Sequence, residues 1–236
     1  MKMFKLFMFF VVAIISTGCV TTSKAPIYQK GQIFSGSILV GTSNITVPLP
    51  EGEWTLIGFW QETGNTNNQF VLAQVENNEL VKAVNVYSPN DRTNWGYPSD
   101  NFCRSKDIIF IDVKSNVDRR KQDCWGINHW RMTLNDDDDK VWFQAMDYFK
   151  ENKITVPITM LVTTYRKADR NKYVIASYAF NPEAEGFSPP KYADWSSNDW
   201  HKDRYYSDPE KVTYIDKMKS WGAAWDKRVS DGFAGL

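Results

Sequence analysis

The chain has 236 residues, of which 42% are hydrophobic and 24% are charged, as in ordinary globular proteins. This composition excludes a disordered chain and a chain built mainly of membrane-spanning segments. Lys plus Arg and Asp plus Glu each number 28, so the chain lacks the basic excess that binds phosphate backbones. We therefore expect no nucleic-acid partner, and no anionic lipid surface as a partner apart from a covalent anchor.

The first 18 residues have the three-part order of a secretory signal peptide. A positive start from Met1 to Lys5 precedes an apolar run from Leu6 to Ile15, and Ser16-Thr17-Gly18 adds small residues. A transmembrane helix needs about 20 apolar residues, and this run is about half as long. We therefore expect residues 1–18 to be cleaved rather than retained in a membrane.

A cysteine follows these small residues directly. Ile15-Ser16-Thr17-Gly18-Cys19 resembles the bacterial lipobox at Gly18 and Cys19 and departs from it at Ser16, where that family usually has leucine. The resemblance covers only the first 19 residues, and it implies that Cys19 is acylated and anchors the mature protein to a membrane.

In Gram-negative lipoproteins Asp after the cysteine commonly directs retention in the inner membrane. For a Gram-negative cell, Val20 therefore implies the outer membrane, with the domain facing the periplasm. The alternative is an ordinary secretory signal followed by a free cysteine.

The mature chain is expected to form a single globular envelope domain. Residues 19–32 are predicted to be a lipidated polar tether, and residues 33–236 the domain, with folding starting near Ile33. Removal of the signal peptide also removes Lys2 and Lys5. The remainder has 26 basic and 28 acidic groups, a formal charge of about −2.

The predicted strands are rich in β-branched and aromatic residues and are separated by turn formers. They are Asn44 to Val47, Glu53 to Gln61, Gln69 to Glu76, Glu79 to Ser88, Ile108 to Val113, Cys124 to Met132, Ile158 to Lys167 and Lys172 to Asn181. Asn77-Asn78 and residues 168–171 each predict a hairpin turn between successive strands.

Two amphipathic helices are predicted from helical spacing and capping residues. The first covers Asp136 to Asn152, and Asp136 to Asp139 lie at the positive end of its dipole. The second begins in Ser207-Asp208-Pro209-Glu210, which combines capping residues with an early proline. The order of elements predicts the α+β class: an antiparallel sheet of roughly six to eight strands, one internal helix and a C-terminal amphipathic helix.

The three cysteines become an even set once Cys19 is assigned to lipid. Cys103 and Cys124 then predict a disulfide, which suits an exported protein and would pin the long loop from Pro89 to Asp107. Two alternatives stay open, a pair of buried thiols and a zinc site that includes His129. The spacing of the three residues lacks the short ligand pairs that are typical of zinc sites.

Few residues are available for acid–base chemistry. The chain has two histidines, His129 and His201, and has no G-x-S-x-G, P-loop or G-x-G-x-x-G motif. His129 lies in a predicted strand and is expected to be structural. The aspartates at 136, 138 and 147 match three calcium-ligand positions of an EF-hand, but Val141 stands where glycine is needed, which favours a helix cap. We expect no metal or cofactor and assign no catalytic residue.

The segment from Tyr192 to Tyr206 places aromatic rings among polar residues. Such rings suit contact with a sugar or a peptide, because a flat apolar face lies beside hydrogen-bonding groups. The candidate binding residues are Tyr192, Trp195, Trp200, His201, Tyr205 and Tyr206. Trp195 and Trp200 are predicted to be the principal contact rings. The alternative is that these rings fasten a long loop to the core.

The favoured functional hypothesis is a non-catalytic envelope lipoprotein that binds a partner protein or a cell-wall glycan. One alternative is an envelope hydrolase acting on peptidoglycan or another polymer, with carboxylates as its acid and base. The other is a structural subunit of an envelope assembly.

Overall fold

The structure is a computed structural model that describes residues 27–40, 44–61, 67–89, 95–132 and 140–236. The predicted signal peptide, the lipidation residue Cys19 and the run Asp136 to Asp139 lie outside these residues. In the described part of the chain, neither helix is long and apolar enough to cross a membrane.

Eight antiparallel strands form the main sheet. In their order across the sheet they are β1 (Ile33–Phe34), β4 (Trp54–Gln61), β5 (Asn67–Glu76), β6 (Glu79–Pro89), β10 (Tyr173–Phe180), β9 (Thr159–Ala168), β8 (Gln122–Arg131) and β7 (Phe110–Asn116). A second, two-stranded sheet pairs β2 (Ser37–Val40) with β3 (Ile45–Pro48). The helices are α1 (Lys140–Glu151) and α2 (Pro209–Ala234). The predicted α+β class, with its antiparallel sheet, internal helix and C-terminal helix, is confirmed.

Both predicted hairpin turns are present. Asn77 and Asn78 have left-handed backbones, with φ of 51° and 62°, as the tight turn between β5 and β6 requires. Between β9 and β10, a carboxylate oxygen of Asp169 accepts the backbone N–H groups of Asn171 and Lys172, each at 2.7 Å. This contact closes the turn locally.

Helix α2 starts where the capping residues predict. The Asp208 carboxylate accepts the backbone N–H groups of Glu210 at 3.0 Å and Lys211 at 3.4 Å, and Pro209 occupies the first helical position. At the other end Gly235 is left-handed, with φ of 83°, and its N–H donates to the Asp231 carbonyl.

The two helices cover opposite faces of the main sheet. Helix α2 and the two-stranded sheet enclose the larger core, whose buried members include Ile38, Val47, Leu56, Trp125, Tyr165, Tyr178, Ile215 and Val229. Helix α1 encloses a smaller core on the other face, with Ile57, Val71, Leu80, Val141, Phe149 and Val162. The alternation of side chains along each strand divides them between these two cores.

A glycine lets α2 approach the sheet closely. A Cβ atom on Gly222 would lie 2.4 Å from the Trp125 ring, so any other residue would move the helix outward. The Tyr165 hydroxyl donates to the Gly222 carbonyl at 2.8 Å. Next to this contact, the rings of Trp221 and Trp225 stack with their centroids 5.2 Å apart.

The packed structure begins before Ile33. Tyr28 falls within the predicted tether, yet its side chain is buried and its hydroxyl donates to the Leu39 carbonyl at 2.6 Å. Its ring packs edge-on against Phe34 and Phe70. The prediction that folding starts near Ile33 is therefore corrected, because Tyr28 already belongs to the packed structure. The polar composition of residues 19–32 gave no indication of this contact.

Candidate functional site

The disulfide predicted from the cysteine count is present. Cys103 and Cys124 are bonded, with an S–S distance of 2.02 Å, and both are buried. Because each sulfur is bonded to the other, the cysteines are not free to act as zinc ligands. Among the residues that the structure describes, no group of three or more His, Cys, Asp or Glu side chains is placed to hold a metal ion.

The segment from Tyr192 to Tyr206 has no strand or α-helix, only the 3-10 helix Trp195–Ser197 and the start of Tyr205–Ser207, and an asparagine fastens it to the sheet. The buried Asn198 amide donates to the Thr159 hydroxyl at 2.7 Å, and its side-chain oxygen accepts the backbone N–H of Trp200 at 2.9 Å. Asn198 is not among the binding residues predicted from the sequence. The one sequence feature that could have identified Asn198 is its position between two tryptophans in a polar segment.

The prediction that Trp200 is a principal contact ring is wrong. Its side chain is 0% exposed, and its ring packs against those of Phe187 and Tyr214, at centroid distances of 5.0 and 5.9 Å. The Lys211 ammonium lies 5.3 Å from the ring centroid. The segment thus folds back beneath the first turns of α2, and Trp200 fastens it to the larger core.

The remaining candidate residues divide between exposed and buried positions. Tyr192, Trp195 and Tyr206 are 48%, 40% and 65% exposed, whereas His201 is buried and Tyr205 is half-buried. The structure brings Trp195 and His201 together with His129 of β8. Among the described residues, neither Tyr192 nor Tyr206 has a ring contact with Trp195.

Trp195 is held in place from two directions. Its indole ring stacks on the His129 imidazole, with centroids 4.1 Å apart and ring planes 24° apart. Its indole N–H donates to the Asp107 carboxylate at 3.2 Å. The His129 Nε2 atom lies 3.2 Å from the Trp195 carbonyl oxygen, so the backbone is held as well. We call Trp195, His129, His201 and Asp107 the Trp195 site.

The imidazole of His129 is uncharged in this stack. Its side chain is 1% exposed, and burial lowers its pKa to about 4, with a smaller contribution from the nearby His201. The buried Nδ1 atom has no hydrogen-bond partner among the described residues. Protonation there would place an unpaired charge in the interior, so near neutral pH the imidazole is uncharged and its proton is placed on Nε2, toward the Trp195 carbonyl.

Polar and charged groups lie near Trp195. Asp107 and Asp203 are exposed, and the Lys202 ammonium lies 3.7 and 3.6 Å from their carboxylates. The His201 Nδ1 atom accepts the Asp203 N–H at 3.3 Å. Arg204 donates to the Ser196 carbonyl at 2.9 Å. An exposed aromatic ring is therefore bordered by hydrogen-bond donors and acceptors.

A buried chain of ion pairs joins α2 to the sheet on the same face. The Lys167 ammonium contacts the carboxylates of Asp226, at 2.5 Å, and of Asp123. Lys114 binds the second oxygen of Asp226, and this hydrogen bond raises the Lys114 pKa. The Lys167 and Asp226 side chains are each 3% exposed. Removing one partner of such a buried pair strongly destabilises the folded protein.

Arg166 precedes Lys167 in β9, so its side chain lies on the opposite face of the sheet. Its guanidinium donates to Asp100 at 2.5 Å and to the Gln122 side chain at 2.8 Å, and it lies 4.5 Å from the centroid of the Tyr173 ring. It also donates to the Pro98 carbonyl at 3.1 Å. Together with the disulfide, these contacts fix the loop that precedes β7. We therefore assign Arg166 a structural role.

The chain was compared with protein-family models, curated proteins and solved structures, and nothing matches it in any of the three.

Proposed function

We propose that this chain is a lipid-anchored protein of the bacterial envelope whose domain binds a cell-wall glycan without catalysis, with Trp195 as its principal contact ring. The observation that carries the proposal is the fixed, 40% exposed indole of Trp195. Stacking on His129 and the hydrogen bond to Asp107 set its orientation before any ligand arrives. A ring ordered in advance loses little conformational entropy on binding.

The chemistry of the Trp195 site suits a sugar. A pyranose ring has an apolar face of C–H groups and an edge of hydroxyls, which matches an aromatic ring beside polar groups. Because His129 covers one face of the indole, the exposed area belongs to the other face and to the ring edges. The Asp107 carboxylate lies beside the indole N–H, and the Lys202 ammonium lies 3.7 Å from that carboxylate, so charged groups that could bind hydroxyls are next to the ring.

The proposed location is supported by the sequence of residues 15–19 and by the disulfide. An acylated Cys19 would hold the domain at the membrane. The Cys103–Cys124 bond suits an oxidising compartment such as the periplasm. The cell wall is then the polymer within reach of the domain.

The first test is cosedimentation of the full chain with purified peptidoglycan sacculi. We expect the wild type to sediment with the sacculi and Trp195→Ala to remain in the supernatant. Trp95→Ala is the matched control, because Trp95 is 76% exposed and lies outside the Trp195 site. Equal sedimentation of the wild type and Trp195→Ala would overturn the role of Trp195.

The same preparations separate the other functional classes. Crosslinking of intact envelopes detects a partner protein, and loss of a crosslinked partner in Trp195→Ala would assign this ring to a protein interface instead of a glycan. Release of soluble fragments from the sacculi would favour the hydrolase alternative and would contradict a non-catalytic role.

A further inference from the structure

A cleft of about 450 Å³ opens at one end of the main sheet, on the face that α2 covers. It lies between the turn that joins β7 to β8, the turn that joins β9 to β10 and the last turns of α2. Its lining includes Arg120, Lys121, Asp123, Lys167, Arg170 and Phe233. The volume is within the range of small-molecule binding sites.

The cleft has more positive than negative side chains. Four cationic and two acidic residues line it, a formal excess of two positive charges. Lys167 is already paired with the buried carboxylates of Asp123 and Asp226. Arg120, Lys121 and Arg170 are all exposed, and within the described ranges none of the three has an ion-pair partner. Their positive charge is therefore available to a ligand.

Both acidic residues of the lining have partners, and Asp123 is paired with Lys167. One oxygen of the Asp169 carboxylate accepts two backbone N–H groups of its own turn. The carbonyls at the end of α2 would repel an anion, but Gly235 caps those of Asp231 and Gly232, and Lys172 donates to that of Phe233 at 3.3 Å. The cleft therefore retains its positive character beside a helix C-terminus.

An apolar wall accompanies the charged rim. Phe233 and Ala168 contribute this wall, while two arginines on separate turns offer planar guanidinium groups that match a phosphate or carboxylate. A ligand with an anionic group and an apolar body would satisfy both parts.

We propose that this cleft binds the phosphate group of an anionic amphiphile, with Arg120 and Arg170 as the phosphate ligands and Phe233 against the apolar part. The near-neutral charge of the whole chain conceals this local excess. The site is separate from the Trp195 site, and the proposal does not depend on glycan binding. The phosphate group is shared by phospholipid headgroups and by soluble phosphate esters.

Isothermal titration of the full chain in a nonionic detergent tests the proposal. The probes are dihexanoyl phosphatidic acid and glycerol 3-phosphate, which share a phosphate but differ in their acyl chains, and each is also titrated into detergent alone. We expect Arg120→Gln and Arg170→Gln each to weaken binding at least about fivefold, because each removes charge-assisted hydrogen bonds. Arg119→Gln is the matched control, since Arg119 is exposed in the same turn but does not line the cleft.

The two probes also distinguish the source of the phosphate. Tighter binding of the phosphatidic acid supports an anionic amphiphile such as a phospholipid, whereas equal binding of the two probes would show that the apolar part contributes nothing and would overturn the amphiphile in favour of a soluble phosphate ester. Absence of heat with both probes at millimolar concentration overturns the proposal. It is equally overturned if Arg119→Gln weakens binding as much as the cleft variants do, since the effect would then be general charge rather than a site.

Discussion

The imidazole of His129 stacks on the indole of Trp195, with ring centroids 4.1 Å apart, and so couples a buried histidine to an exposed aromatic ring. The pKa of His129 is lowered to about 4 by burial, whereas an unfolded histidine titrates near 6.5. Between these values the unfolded chain binds more protons than the folded one. Folding stability contributed by this group is therefore complete above about pH 6.5 and is lost as the pH falls toward 4.

We predict that His129→Gln shows a shallower loss of stability on acidification than the wild type. The difference should approach about 1 kcal/mol per pH unit between pH 6.5 and pH 4.5. Urea unfolding at a series of pH values measures it, and carboxylates that titrate in both proteins cancel in the comparison. Parallel stability profiles for the two proteins would mean that folding does not lower the pKa of His129.

Truncation of Trp200 is predicted to destabilise the fold much more than truncation of Trp195. Trp200→Ala should lower the free energy of unfolding by about 3–5 kcal/mol, because it empties a fully buried position beneath α2. Trp195→Ala should lower it by about 1 kcal/mol or less, since its ring is partly exposed. Thermal and urea melts of both variants provide the measurement. Equal losses would make both rings part of the core.

The buried carboxylate of Asp226 is predicted to be essential for stability. Asp226→Ala should lower the free energy of unfolding by about 3–5 kcal/mol, because the buried Lys167 side chain loses one of its carboxylate partners. Asp216→Ala is the control on the same helix, since the Asp216–Lys219 pair is at the surface and should contribute under about 1 kcal/mol. If the two variants were equally stable, the buried network would not hold α2 to the sheet.

The lipid anchor is predicted to be chemically separate from the folded domain. Cys19→Ala should abolish incorporation of labelled fatty acid and membrane association, while its melting temperature matches that of the wild type. Fractionation with the label checks both points. A variant that stays in the membrane fraction, together with a wild type that takes up no label, would contradict the resemblance to the lipobox.

Much of the sheet was predictable because its strands carry local signals. β-Branched and aromatic residues separated by turn formers gave all strands except β1 and β2, and Asn77-Asn78 gave the tightest hairpin. The strands β1 (Ile33–Phe34) and β2 (Ser37–Val40) were missed because each is short and follows a polar segment. Their pairing depends on partners later in the chain.

The candidate site was only partly predictable, for a physical reason. The aromatic segment identified Trp195, but burial of Trp200 depends on Phe187 and Tyr214, which lie outside it. The stack on His129 joins residues 66 positions apart, and the Lys167–Asp226 pair joins residues 59 apart. No local pattern marks such contacts, since they form only when the Tyr192 to Tyr206 segment and α2 pack onto the sheet.

The affinity of the domain for soluble peptidoglycan glycan fragments tests the central claim most directly. We predict that Trp195→Ala weakens binding by about 1–3 kcal/mol, as expected for an aromatic contact residue, while Trp195→Phe retains part of the affinity because a flat ring remains. Trp95→Ala should bind like the wild type. Wild-type affinity in Trp195→Ala, measured on protein whose unfolding curve is unchanged, would contradict the account.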